Sequence, residues 1–138
     1  MNHINSPRVD DDAIETEIKS KGLTAPRVTP ADIEANIAHC YYFTALQGAM
    51  YPDGQGEREP VAAVALGLLT FCVLVLRNGF TVTGESACAS PENFDAELGK
   101  KIARANAVNK VWPLMGYELK CRLADAERKD ACEKSCEG

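Results

Sequence analysis

A chain of 138 residues with 46% hydrophobic and 25% charged side chains has room for one ordinary globular domain. Its formal charge of −5 excludes a general nucleic-acid coat, which needs a basic surface to displace counterions; DNA, RNA and membrane are not expected partners. A small anionic ligand held by local cations is not excluded.

Met1 to Ile4 leads straight into polar and acidic sequence without the pattern of a signal peptide, so a cytoplasmic protein is expected. Residues 1–28 read as an N-terminal extension, partly disordered, in which Asp11 to Lys21 forms at most one short helix stopped at Gly22. A single α+β domain is placed at 29–126. It opens at Thr29-Pro30-Ala31-Asp32: Thr29 caps, Pro30 suits the first helical position, and Asp32 is the acidic arm of a capping box. Ile33, Ile37 and Tyr41 repeat at i+4, with Cys40 and Thr44 beside them, and predict one helix to about Leu46. Gln47 to Pro60, with its glycines, prolines and alternating charges, is expected to be a mobile loop.

The uncharged run from Val61 to Leu76 falls short of the roughly 20 residues a spanning helix needs. Its β-branched second half ends near Asn78-Gly79 and predicts a buried strand, then a hairpin with a two-residue type I′ turn. Such a turn opposes Arg77 with Phe80, Val75 with Val82, Val73 with Gly84 and Phe71 with Ser86. Phe71, Val73, Val75, Phe80 and Val82 would then face the core. Cys72, Leu74 and Leu76 would lie on the other side with Thr81, Thr83 and Glu85, a face too apolar for water that a helix or another copy must cover. Gly84 inside a strand marks a bulge or a close backbone approach.

Ser90-Pro91-Glu92-Asn93 predicts the start of the last helix, with Ser90 as its cap. Leu98, Ile102, Ala105, Val108 and Trp112 recur at three and four, extended by Val111, Met115 and Leu119, and predict its buried stripe. Trp112 is read as core or subunit packing. Pro113 is expected to kink or interrupt the helix, Tyr117 to Ala126 to resume it, and the charged tail 127–138 to fray. The expected architecture is thus α+β: an N-terminal helix, a two-stranded antiparallel hairpin and a long kinked C-terminal helix, as a homo-oligomer.

The six cysteines read as reduced small hydrophobes for the most part. Cys132 and Cys136 lie four apart but are two ligands short of a zinc site, so neither metal nor cofactor is expected. An enzyme is not expected either. His39 sits within an amphipathic segment without a partnered nucleophile, and Thr83-Gly84-Glu85-Ser86 lies in a strand rather than at a strand-to-helix turn. A binding site at the hairpin-to-helix junction is the better reading. Thr83 and Ser86 arrive there with the free amides of Ser90 to Asn93; Lys100, Lys101 and Arg104 suit phosphate oxygens, Asn93 a base edge, and Phe80 or Phe94 a purine ring. The competing reading is a solvated charged face whose acids complement the helix dipole.

The residues from Asn78 to Leu119, NGFTVTGESACASPENFDAELGKKIARANAVNKVWPLMGYEL, resemble the core of a family of small tailed-phage and prophage proteins of the gene-product 49/66 type. The likeness extends from Pro30 to about Leu123. It is most specific in Gly84-Glu85-Ser86-Ala87-Cys88, Pro91-Glu92-Asn93-Phe94-Asp95 and Asn109-Lys110-Val111-Trp112. Members look like the Thoeris anti-defence sponge of the first type. That resemblance implies a non-enzymatic homo-oligomer, dimer to hexamer, in the cytoplasm of the infected host. It implies pockets at subunit boundaries that sequester cyclic ADP-ribose isomers or cyclic oligonucleotides intact. Phe80, Thr83, Ser86, Asn93, Lys101, Arg104 and Asn109 are the ligand-lining candidates it carries over. The alternative expectation is a structural or interaction protein that docks a host protein through its apolar hairpin face.

Overall fold

The computed structural model describes residues 10–50 and 60–136, and its helices begin where local capping chemistry allows. Helix α1 (Asp11–Ser20) starts with the Asp12 amide donating to Asp10 (3.0 Å) and ends before Gly22, which takes a left-handed φ of +67°. The capping box of α2 (Pro30–Asn36) is complete: the Asp32 amide donates to Thr29 Oγ1 (3.1 Å) and the Thr29 amide to Asp32 Oδ2 (2.9 Å). These bonds from Thr29 hold the Asp32 carboxyl below its usual range.

The expected run of this helix to Leu46 is corrected at Asn36. Ile37–Thr44 is strand β1, an edge of a three-stranded sheet rather than part of a helix. A spacing of four is even, so Ile33, Ile37 and Tyr41 satisfy a strand's period as well as a helix's. The β-branched and aromatic content of Ile37 to Thr44 then decides between them. Helices α3 (Ala45–Met50) and α4 (Pro60–Gly67) replace the ends of the expected loop, and α4 forms the first half of the apolar run, whose second half is the expected strand. Thr44 and Gln47 cap α3 reciprocally, through the Thr44 amide to Gln47 Oε1 (2.8 Å) and the Gln47 amide to Thr44 Oγ1 (3.2 Å). Residues 51–59 of that loop lie outside the described residues, as do 1–9.

Strands β2 (Leu69–Leu76) and β3 (Thr81–Ala87) form the expected hairpin, but one residue out of the expected register. The turn holds three residues, not two. The Gly79 amide donates to the Leu76 carbonyl (2.9 Å), the Leu76 amide donates to the Phe80 carbonyl (2.8 Å), and Gly79 supplies the left-handed φ of +88°. Leu74 therefore faces Val82, Cys72 faces Gly84 and Thr70 faces Ser86. A one-residue slip exchanges the faces of a strand. Cys72, Leu74, Leu76 and Val82 are core, while Phe71, Val73, Val75, Thr81 and Thr83 lie on the outer face.

Helix α5 (Ala96–Cys136) starts later than expected. Pro91–Asn93 is a separate 3₁₀ turn, Ser90 makes no side-chain capping bond, and the Leu98 amide donates to Asp95 Oδ1 (3.1 Å) instead. The helix passes through Pro113 and reaches Cys136, so the tail expected to fray is helical; its 41 residues span roughly 60 Å. Its fully buried residues are Gly99, Ala103, Ala107 and Val111; of the predicted stripe Val111 is buried, Val108, Trp112 and Met115 pack half-buried against the core, and Leu98 is exposed.

Thus α5 itself covers Leu74 and Leu76: of the two covers expected for this face, a helix or another copy of the chain, it is the helix. The apolar surface left partly uncovered is the opposite one. There Phe43 stacks on Phe71 (5.7 Å between rings) and Tyr41 beside Val73 is 58% exposed. No helix among the described residues is long and apolar enough to cross a membrane.

The helix meets the sheet at Gly84, where a Cβ would lie 2.2 Å from the Ala103 carbonyl oxygen and 2.3 Å from the Ala107 amide nitrogen. This is the close backbone approach expected of that glycine. Gly84→Ala must push helix and strand apart, and should cost about 3 kcal/mol of stability, read as a lowered urea midpoint. A midpoint unchanged from the parent would mean that the helix stands farther from the strand.

Candidate functional site

The rotation of α5 that buries Gly99, Ala103, Ala107 and Val111 turns a neighbouring face outward. Lys101, Arg104, Ala105, Val108, Asn109 and Trp112 follow at helical spacing and form one wall of an open groove of about 700 Å³. Pro30, Ile33 and Glu34 of α2 form a second wall, and Asp10, Asp11 and Asp12 at the start of α1 form the third. The floor is apolar, from Ile33, Val108 and Trp112, and the rims are charged. A groove of this volume accommodates a molecule of nucleotide size.

Three of the seven candidates, Lys101, Arg104 and Asn109, meet here. The Arg104 guanidinium forks onto Glu34, with Nη1 donating to Oε1 (3.0 Å) and Nη2 to Oε2 (2.8 Å). This pair holds the Glu34 carboxyl below its usual range through that bond, against a smaller cost of burial, and raises the Arg104 value further. Glu34 is therefore ionised at neutral pH. The stabilisation it gives is present above the normal carboxylate range and is lost as pH falls through the lowered folded value. With 57% of its side chain exposed, Glu34 contributes only about 0.5 kcal/mol through this pair. Lys101 has no ion-pair partner among the described residues.

The other candidates lie elsewhere. Ser86 is buried and Asn93 exposed, and both border a void at the sheet end with Thr70 and Gly99. That void holds about 10 Å³, at most one water. Thr83 stands on the outer sheet face opposite Val73, and Phe80 is at the hairpin tip, 54% exposed. Lys100 points away from the groove, over the Tyr42 ring (5.9 Å) and towards Glu97 (3.5 Å).

Trp112, Glu34 and the acids Asp10 to Asp12 belong to the groove without having been singled out for it. Trp112 was legible in principle, because it falls eight positions after Arg104 on one helical face. Glu34 and the acids are brought in by tertiary packing and carry no local signal.

Beneath the sheet, the sulfurs of Cys40 and Cys72 lie 3.6 Å apart. Burial, and then the contact with Cys40, push the Cys72 thiol up to about 12, so it is not a thiolate at neutral pH. Burial likewise pushes the Tyr42 phenol up to about 12. A second groove, of about 500 Å³, gathers Arg27, Arg77 and Arg122. All three are engaged: Arg27 by Glu15 (2.6 Å), Arg122 by Glu118 (3.4 Å) and Arg77 by the Ala35 carbonyl. Among the described residues no cluster of three or more His, Cys, Asp or Glu is placed to hold a metal.

Neither a curated protein nor a solved structure matches the chain. A family model does, over residues 28–123, which take in α2, all three strands and the groove-lining part of α5 but not α1. On that match the chain belongs to the phage protein (N4 Gp49/phage Sf6 gene 66) family.

Proposed function

We propose that this phage protein sequesters cyclic nucleotide immune signals, cyclic ADP-ribose isomers or cyclic oligonucleotides, and holds them uncleaved in the groove along α5. The observation that carries this reading is the meeting of Lys101, Arg104, Asn109 and Trp112 on one wall of a single nucleotide-sized groove. A ligand phosphate takes Lys101 directly and takes Arg104 by displacing Glu34, an exchange made cheap by the exposure of that pair. The Trp112 ring offers an apolar face to a base, and the Asn109 amide offers both a donor and an acceptor to its edge. Sequestration needs no bond broken, so the ligand leaves as it entered.

The test is to incubate the protein with each cyclic nucleotide and then denature it by heat. The ligand should vanish from solution on mixing and return chemically unchanged; products in its place would indicate an enzyme. Lys101→Ala and Arg104→Ala should each weaken Kd about tenfold in calorimetry, as expected for one charge-assisted contact at a part-exposed site. Unchanged affinity in both variants would move the ligand away from this groove.

A homo-oligomer belongs to the same proposal, and the outer sheet face favours it. Tyr41, Phe43, Phe71 and Val73, flanked by α4, form an apolar surface that a second copy would remove from water. The second reading, docking of a host protein, rests on the same surface. Val73→Asp should convert the oligomer to monomers in light scattering while leaving ligand affinity within about twofold, because Val73 is across the sheet from the groove. A wild-type chain that is already monomeric would leave that surface to another partner.

A further inference from the structure

The groove contains more negative charge than positive. Asp10, Asp11, Asp12 and Glu34 line it against two cations, Lys101 and Arg104. Glu34 is engaged by Arg104, and Asp10 accepts the Asp12 amide, but none of the three aspartates has a cationic partner within 4 Å among the described residues. Nor is their position loose. The Arg27 guanidinium forks onto Glu15 of α1 with both N–O distances at 2.6 Å, and the two side chains are only 26% and 15% exposed. This clamp fixes α1 to the segment that leads into α2.

An anion entering the groove therefore meets a fixed acidic wall opposite the cations it needs. Coulomb repulsion scales with the product of the charges, so a ligand with one or two negative charges is opposed weakly and a polyphosphate several times more strongly. Wall and cations line one groove, and salt screening weakens the effect.

We propose that the acidic start of α1, clamped by Glu15 and Arg27, is an electrostatic guard that excludes polyphosphates from the groove and restricts it to ligands of low charge. This rests on the reading of the groove as an anion site. It names the property that keeps such a site from filling with the di- and triphosphates abundant in any cell. Because α1 is outside residues 28–123, the guard is an addition to the part of the chain that the family model matches.

The test uses the full chain and three simple probes: inorganic phosphate, pyrophosphate and tripolyphosphate. The triple variant Asp10→Asn, Asp11→Asn, Asp12→Asn keeps a good capping residue, so α1 is retained. At low salt its affinity should rise about threefold for phosphate and about tenfold or more for tripolyphosphate, and the gain should shrink in high salt. Arg27→Ala should reproduce part of this gain by releasing α1, and should add little in the triple variant's background. The alternative role of the aspartates, complementing the α1 dipole, predicts reduced helix content with affinities unchanged. Tripolyphosphate binding that is lost with Lys101→Ala but identical in the parent and the triple variant would overturn the guard and leave the anion site standing. No binding by either protein would overturn both.

Discussion

Everything on the groove side of this molecule depends on how closely α5 can lie against β3. The backbone of Ala103 and Ala107 sits where a side chain at position 84 would be, so only glycine permits the contact. At that distance the helix cannot roll: Gly99, Ala103, Ala107 and Val111 must face the sheet, because larger side chains there would lift it away. The rotation fixed by this contact selects which residues face outward. Lys101, Arg104, Asn109 and Trp112 share a groove because four small or medium residues occupy the opposite face. The wall of the groove is here specified by a packing constraint on the far side of its own helix.

The same contact explains where the sequence was legible and where it was not. Capping residues act locally, so the starts of α1 and α2 could be read from Asp10, Thr29, Pro30 and Asp32 alone. The hairpin was legible for the same reason, since Asn78-Gly79 marks a turn. What the dipeptide does not encode is whether Arg77 pairs with Phe80 or joins the turn, and that one residue exchanges the buried and outer faces. The helix stripe was read only in part, Val111 included and Gly99, Ala103 and Ala107 missed, because periodicity weights bulky side chains. Trp112, Val108 and Ile102 dominate the pattern, whereas glycine and alanine make the closest contact with the least hydrophobic signal. Strand β1 was hidden by an even spacing that fits two periods. Of the seven site candidates, the three that meet in the groove all come from α5, where spacing along a single element is informative. Thr83, Ser86 and Phe80 depended on a strand register that proved one residue different.

On the proposed reading of the groove, Arg104 is an anion-binding side chain ordered in advance. A lone guanidinium beside a partly apolar wall would sample many rotamers, and ordering it on binding would cost affinity. Glu34 holds it in one fork geometry, and the exposure of that pair keeps the hold weak. On that reading an incoming phosphate would exchange one bidentate partner for another and order little that was not ordered before. Lys101, without an ion-pair partner among the described residues, supplies the attraction that the exchange itself does not.

The two faces of the sheet carry different kinds of surface, and this separates two tasks. The core-facing side is filled by α5, and the groove opens beyond that helix, towards α1 and α2. The outer side presents Tyr41, Phe43, Phe71, Val73 and Val75, with no long helix among the described residues laid across them. An association through that outer side would bury apolar area without touching Lys101, Arg104 or Trp112, and so would leave the groove accessible from water. Closure of the groove over a ligand would have to come from a different element. Beyond Met115, α5 lines the second groove through Glu118, Leu119 and Arg122 and leaves Tyr117 75% exposed, so an association through that stretch of helix and one through the sheet would be physically independent, and a substitution that disrupted one need not disturb the other.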